Sequence, residues 1–194
     1  MPVDPNRESW KPGMPWEKAL DDMDYVKEIA KELGGEERVK RQHSGGRYTI
    51  RERIDKMLDP GSFLEAGPMV GAAEFDDEGN LTEFTPGAFV MGLGEIEGRS
   101  VAIGGDDFTI SGGSPHNVHK APSDFVQPLA MQYGIPYVQL IQGAGHSSKA
   151  DEAKGHMGLP NGGMWWKNIE VLGRVPCAAG VMGAVAGWPA AHAL

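Results

Sequence analysis

The sequence predicts an α/β protein, and three observations carry that prediction. Apolar residues recur at helical spacing before residue 60. From residue 87 onward the pattern changes to short apolar runs split by glycine. Between the later runs lie two longer segments with room for helices, so strands and helices alternate along one chain.

The elements follow in order. The first 17 residues carry four prolines and two tryptophans among polar residues, a composition that suits an extended arm docked on something else better than a core element. From Trp16 to Leu33, Leu20, Met23, Val26, Ile29, Ala30 and Leu33 fall on one helical face, and Gly34-Gly35 ends the helix. These segments make residues 1–35 an N-terminal arm and helix, with the remaining residues, 36–194, as one domain. A second amphipathic helix is predicted near Thr49 to Leu58, with Thr49 as cap, Glu52 completing a capping box, and Asp59-Pro60-Gly61-Ser62 as the terminating turn. The strand signals are Gly87 to Gly94, Ser100 to Gly104, Tyr137 to Ile141 and Cys177 to Met182. Glu97-Gly98-Arg99 joins the first two as a hairpin. Ser114 to Tyr133 and Gly162 to Leu172 are the predicted helices between the later strands.

Composition narrows the function classes. A chain of 194 residues with 40% hydrophobic content buries a core without disulfide or metal staples. Its net charge of -9 and pI near 5.1 repel nucleic acid and anionic membrane surfaces. Cys177 is the only cysteine, no apolar stretch is long enough to span a bilayer, and the start lacks a signal-peptide pattern. A reduced, cytoplasmic setting is expected. The stretch Gly183 to Leu194 ends among small apolar residues without a helix stop, which reads as a truncated chain. His116 and His119, and His146 and His156 around a polar segment, match no zinc-ligand spacing, so no metal is expected. Met164, Trp165 and Trp166 read as packing residues on a helix.

Four blocks carry a resemblance. Residues 38–63 read Arg-Val-Lys-Arg-Gln-His-Ser-Gly-Gly-Arg-Tyr-Thr-Ile-Arg-Glu-Arg-Ile-Asp-Lys-Met-Leu-Asp-Pro-Gly-Ser-Phe, and residues 107–114 read Asp-Phe-Thr-Ile-Ser-Gly-Gly-Ser. Residues 134–145 read Gly-Ile-Pro-Tyr-Val-Gln-Leu-Ile-Gln-Gly-Ala-Gly, and Gly173-Arg-Val-Pro is followed by Val181-Met-Gly-Ala-Val-Ala-Gly. In this order they resemble the biotin-dependent acyl-CoA carboxyltransferases of the propionyl-CoA and methylcrotonoyl-CoA carboxylase β-subunit type. The resemblance covers about residues 36–194 and marks a divergent N-terminal half.

The resemblance implies a crotonase-like (ClpP/crotonase) fold of repeated ββα units, of which residues 36–194 are the first copy, the carboxyltransferase N-terminal domain. It further implies an acyl-CoA substrate and biotin carried on a partner protein or domain. A biotin carboxylase or biotin carrier subunit would be the partner, in a dimer-based homo-oligomer up to a hexamer. The second half of a neighbouring subunit would complete the site, so this piece alone is expected to be inactive.

Carboxyl transfer to the carbon beside a thioester places negative charge on the thioester oxygen. Fixed backbone N–H groups stabilise that charge, each typically worth ~10²–10³ in rate. The family's Asp-Ser-Gly-Gly-Ala-Arg aligns with Gln142 to Ser147, and its Gly-Pro-Cys-Ala-Gly-Gly-Ala with Gly183 to Pro189. The backbones of Ala144, Gly145, Gly187 and Trp188 are therefore the implied oxyanion donors. Trp188 stands at a glycine position, where its indole would bear on substrate choice. His146 follows the first turn and has the intrinsic pKa, near ~6.5, of a proton-transfer group; a surface or CoA-contacting histidine is the other reading. Ser111, Gly112, Gly113 and Ser114 precede a helix whose free N–H groups suit a CoA phosphate or the pantetheine amides. Two alternatives stay open: a biotin-dependent acyl-CoA decarboxylase subunit, and a catalytically altered acyl-CoA-binding or assembly paralogue.

Overall fold

The computed structural model describes residues 1, 3–113, 123–143, 169–187 and 190. The N-terminal arm does dock, and the surface it docks on belongs to its own chain. Val3 is buried with Ile29, Ala30 and Phe84, Arg7 pairs with Asp21 and Asp22, and Trp10 stacks on Trp16 at 5.4 Å. Helix α1 (Trp16–Lys31) buries only its C-terminal end, Ile29 and Ala30. Trp16 and Leu20 stay 73% and 60% exposed. The helix stops two residues before the expected Leu33 because Leu33 turns left-handed (φ 57) and drops into the core. Gly34 then passes so close to Thr109 that a Cβ would lie 2.3 Å from its carbonyl oxygen.

Helix α2 (Glu36–Ser44) is not signalled by apolar periodicity, since Gln42 is its only buried residue. Its charge order is the available signal: Glu36 and Glu37 open it, Arg41 and His43 close it. Helix α3 (Ile50–Met57) starts where the capping box predicts. Thr49 Oγ1 accepts from Glu52 N, and Glu52 Oε2 accepts from Thr49 N at 2.7 Å.

A five-stranded sheet runs in the order β1-β4-β5-β6-β7, from β1 (Leu64–Glu65), β4 (Phe89–Ile96), β5 (Arg99–Asp106), β6 (Tyr137–Gly143) and β7 (Cys177–Val185). The pairs β1·β4 and β4·β5 are antiparallel; β5·β6 and β6·β7 are parallel. Glu97 and Gly98, with φ 50 and 72, close the predicted hairpin as a two-residue turn. The Asp59 carboxylate accepts from both of their amides. Strands β2 (Gly71–Phe75) and β3 (Leu81–Pro86) form a separate hairpin against α1, and neither it nor β1 is predicted from the apolar pattern. Of the helix expected from Ser114, the described part is α4 (Ser123–Tyr133); of that expected at 162–172, residues 169–172 are helical.

The main sheet is covered on both faces, as parallel strands with helical crossovers require. Ile50, Ile54 and Leu58 pack on Val90, Val101, Ile103 and Leu140 on one side. On the other, Val126 and Ala130 of α4 pack on Met91, Ala102 and Tyr137. No helix among the described residues is long and apolar enough to cross a membrane.

Candidate active site

Parallel pairing brings the C-terminal ends of β5, β6 and β7 to one edge of the sheet, the place where open α/β sheets offer a crevice to ligands. Gly143 and Val185 are partners in register, and Ala186 N donates to Gly143 O at 3.0 Å. The strands that lead into the two predicted oxyanion turns therefore end side by side. Gly187 lies just beyond β7 in a left-handed conformation, φ 65, that glycine adopts at little cost. Ala144, Gly145, His146, Trp188 and Ser114 lie outside the described residues.

The Ser111-Gly112-Gly113 turn joins the same edge. Its three residues all have positive φ, at 48, 65 and 69. Gly113 is pressed against the end of β6, where a Cβ would stand 2.6 Å from Gln142 O and 3.0 Å from Gly143 Cα. A side chain there would push the turn away from the strand end.

Next to the Ser111–Gly113 turn is a buried polar cluster that no sequence pattern announces. Gln142 is fully buried, and its Oε1 accepts from Gln42 Nε2 at 3.0 Å and from Arg53 Nη2. Gln42 Nε2 also donates to Tyr48 O at 3.1 Å. Here a neutral amide meets the buried guanidinium. Gly183 on β7 leaves room for that amide, since a Cβ would lie 3.0 Å from Gln142 Cδ. Asp107 Oδ1 accepts from Thr109 N at 2.9 Å and Thr109 Oγ1 at 2.6 Å, while Oδ2 has no hydrogen-bond partner among the described residues. Burial pushes the Asp107 carboxyl above the usual carboxylate range, opposed by the Thr109 hydrogen bonds and by Arg51 and Arg53.

Asp106, at the end of β5, accepts from Gln142 N at 3.1 Å. Burial pushes its carboxyl up to about 6, against that hydrogen bond and with added repulsion from Asp107. The signals available in sequence were the spacing of Arg53 within α3 and two adjacent acids closing an apolar strand. Neither pattern tells which distant amide will meet them.

A family profile described as "Carboxyl transferase domain" matches residues 41–192. The chain belongs to the carboxyl transferase family. The propionyl-CoA carboxylase carboxyltransferase subunit of Haloferax mediterranei is 33% identical over 174 residues, covering 90% of this chain and 33% of that protein. The methylmalonyl-CoA decarboxylase subunit alpha of Veillonella parvula is 35% identical over 156 residues, covering 79% of this chain and 30% of its own length. Among solved structures, transcarboxylase 12S, described as a hexamer with methylmalonyl-coenzyme A bound, superimposes with a TM-score of 0.75 at 26% identity. That superposition covers 95% of this chain and 35% of the other. The carboxyl transferase fold seen here is thus the expected crotonase-like one. This chain spans about a third of the length of these relatives.

Proposed function

We propose that this carboxyl transferase domain, residues 36–194 behind the arm and helix of residues 1–35, holds an acyl-CoA and stabilises its thioester enolate during carboxyl transfer. The observation that supports the reading is the adjacency of the β6 and β7 ends, Gly143 beside Val185, because the two glycine-bearing segments follow these ends in sequence. In this reading the backbone amides of Ala144, Gly145, Gly187 and Trp188 receive the enolate oxygen. Ser111 to Ser114 lie along the CoA, and His146 stands beside the first turn as a candidate proton-transfer group. Biotin carried on a partner subunit would supply the carboxyl group and a base for the α-proton. The buried cluster of Gln42, Arg53 and Gln142 acts one step back, by holding β6 so that its last residues are fixed before substrate arrives. The assembly proposed is a homo-oligomer working with a biotin carboxylase or biotin carrier subunit in the cytoplasm.

The test uses the full-length protein with its biotin-carrying partner. Carboxyl transfer from carboxybiotin to propionyl-CoA, together with α-proton exchange on the thioester, is the expected result. Neither carboxyl transfer in either direction nor exchange, in an assembly that is otherwise complete, would overturn the reading. A second reading, decarboxylation, is favoured by the likeness to the Veillonella subunit. It predicts that methylmalonyl-CoA loses its carboxyl group to biotin faster than propionyl-CoA gains one. Thioester binding without proton exchange would instead identify an acyl-CoA-binding paralogue.

A further inference from the structure

Two strand ladders give out at one residue of β6. The parallel pairing of β5 with β6 runs from Ala102 beside Tyr137 to Gly105 beside Leu140 and stops there. On the other side β6 pairs Ile141 with Val181 and Gly143 with Val185, and the register shifts across Gln142. Gln142 therefore has no register partner on either neighbouring strand, although it lies inside β6. A buried main-chain amide still needs an acceptor. Here a side chain supplies it, from the strand that the ladder has just left: Asp106 Oδ2 accepts from Gln142 N at 3.1 Å.

The carboxylate stands on a fixed backbone. Asp106 is in register with Phe89 of β4, and the next amide, Asp107 N, donates to Ala88 O at 2.9 Å. On its other flank is the Ser111-Gly112-Gly113 turn, where a Cβ on Gly113 would lie 3.4 Å from Asp106 Cβ. Asp106 thus lies between the two segments that meet at the reaction edge. An asparagine would offer Gln142 N the same acceptor oxygen without a charge. The carboxylate instead carries a charge that burial and neighbouring Asp107 both oppose. Among the described residues Tyr137, at the start of β6, is the other titratable group coupled to it. A charge held against the preference of its surroundings fits a functional site.

We propose that Asp106 is a positioning residue for carboxyl transfer: its bond to the Gln142 amide fixes the direction in which β6 leaves the sheet, and with it the segment that follows Gly143. The assignment rests on the acyl-CoA reading above, in which that segment carries oxyanion donors, and it adds the group that aims them. An ionised acceptor makes a hydrogen bond roughly twice as strong as a neutral one. Misplacing groups at the reacting atoms by about 1 Å can cost about 10²-fold in rate. A bond that aims donors at charge developing in the transition state acts on kcat and leaves binding of the thioester in place.

The experiment uses the full-length protein with its biotin-carrying partner, as wild type, Asp106→Asn and Asp106→Ala. Carboxyl transfer from carboxybiotin to propionyl-CoA is measured between about pH 5 and pH 8, together with thermal midpoints. Asp106→Ala should lower kcat about 10- to 100-fold with KM for propionyl-CoA unchanged. Asp106→Asn should recover most of that loss, because its oxygen still accepts from Gln142 N. Wild-type kcat should rise with pH in a step centred at about 6, as the carboxyl ionises, and the asparagine variant should lack that step. An alanine variant with wild-type kcat, or with its loss in KM, would overturn the assignment. Equal losses in the two variants would make Asp106 a group that acts on the substrate itself, and would overturn it too. If the alanine variant does not fold, the asparagine profile decides, since the same step in both proteins is incompatible with the proposal. A role in stability alone would make rate follow the thermal midpoint; an asparagine variant both more stable and faster than wild type at pH 8 is therefore a further refutation. A wild type that neither transfers carboxyl nor exchanges the α-proton would sink the acyl-CoA reading itself, and this assignment with it.

Discussion

Asp106 shows how one residue ties the site to the stability of the fold. Its carboxyl is raised from 3.8 to about 6 chiefly by burial, so between these values the folded chain holds a proton that the unfolded chain has released. Stability then falls as pH rises from about 4 to about 6 and stays lower above that. Asp106→Asn keeps an oxygen to accept from Gln142 N and removes the charge. It should stabilise the protein at pH 8 by up to ~2–3 kcal/mol relative to wild type, with the difference shrinking toward pH 4. Denaturant midpoints measured across that range check this, and parallel profiles for the two proteins would refute it. Asp107 contributes its own pH dependence to both proteins and repels Asp106, so the difference between the two profiles reports the Asp106 charge together with its coupling to Asp107. The sequence shows two acids at a strand end. Only the folded chain shows that Asp106 is bonded to a main-chain amide 36 positions away.

At the scale of single elements, α3 was the most legible part of the chain because its signals are local. Thr49 and Glu52 are three residues apart, and each satisfies the other's backbone amide. Burial works against Glu52, but hydrogen bonds from His43 and from the Thr49 amide and hydroxyl hold its carboxyl down to about 2. That contribution is present above the ordinary carboxyl pKa and is lost as pH falls from about 4.5 toward 2. Thr49→Ala should cost about 1 kcal/mol, read as a lowered thermal midpoint. A variant as stable as wild type would mean the cap is replaced by another group. Helix α2 was not legible by the same method, since almost nothing on it is apolar. It is held through Gln42 and through the Gly45-Gly46 turn at its C-terminal end, where Gly46 N donates to His43 O at 2.8 Å. The β2–β3 hairpin has no clear apolar signal because its strands are short and only Phe84 and Pro86 on them are buried; its partners are α1 and the arm rather than the main sheet.

For the whole molecule, the decisive joint is the one between α3 and the sheet. Gly105 lies under Ile50, where a Cβ would stand 2.4 Å from Ile50 Cδ1 and 2.6 Å from Leu140 O. The glycine lets the helix that carries Arg53 sit directly on β5 and β6. Gly105→Val should push α3 off the sheet, costing ~1–3 kcal/mol or more through overpacking. It should also expose the Arg53–Gln142 bond to water, which faster amide exchange at Gln142 would report. Unchanged stability and exchange would show that the layers can separate without loss.

The α/β class, the capped helix, the β4–β5 hairpin and membership of the carboxyl transferase family are all legible in the amino-acid order alone. These rest on spacing, turn chemistry and ordered motifs, all of which lie in neighbouring residues. That the arm folds back on its own chain emerges from the folded molecule. Folding also brings Gln42, Arg53 and Gln142 into one buried cluster, and sets Asp106 against the Gln142 amide. Those arrangements depend on parallel strand pairing and on close backbone approach at glycines. Both join residues tens of positions apart, and the Gln42–Gln142 bond that they permit spans 100 positions; no local pattern encodes such a meeting.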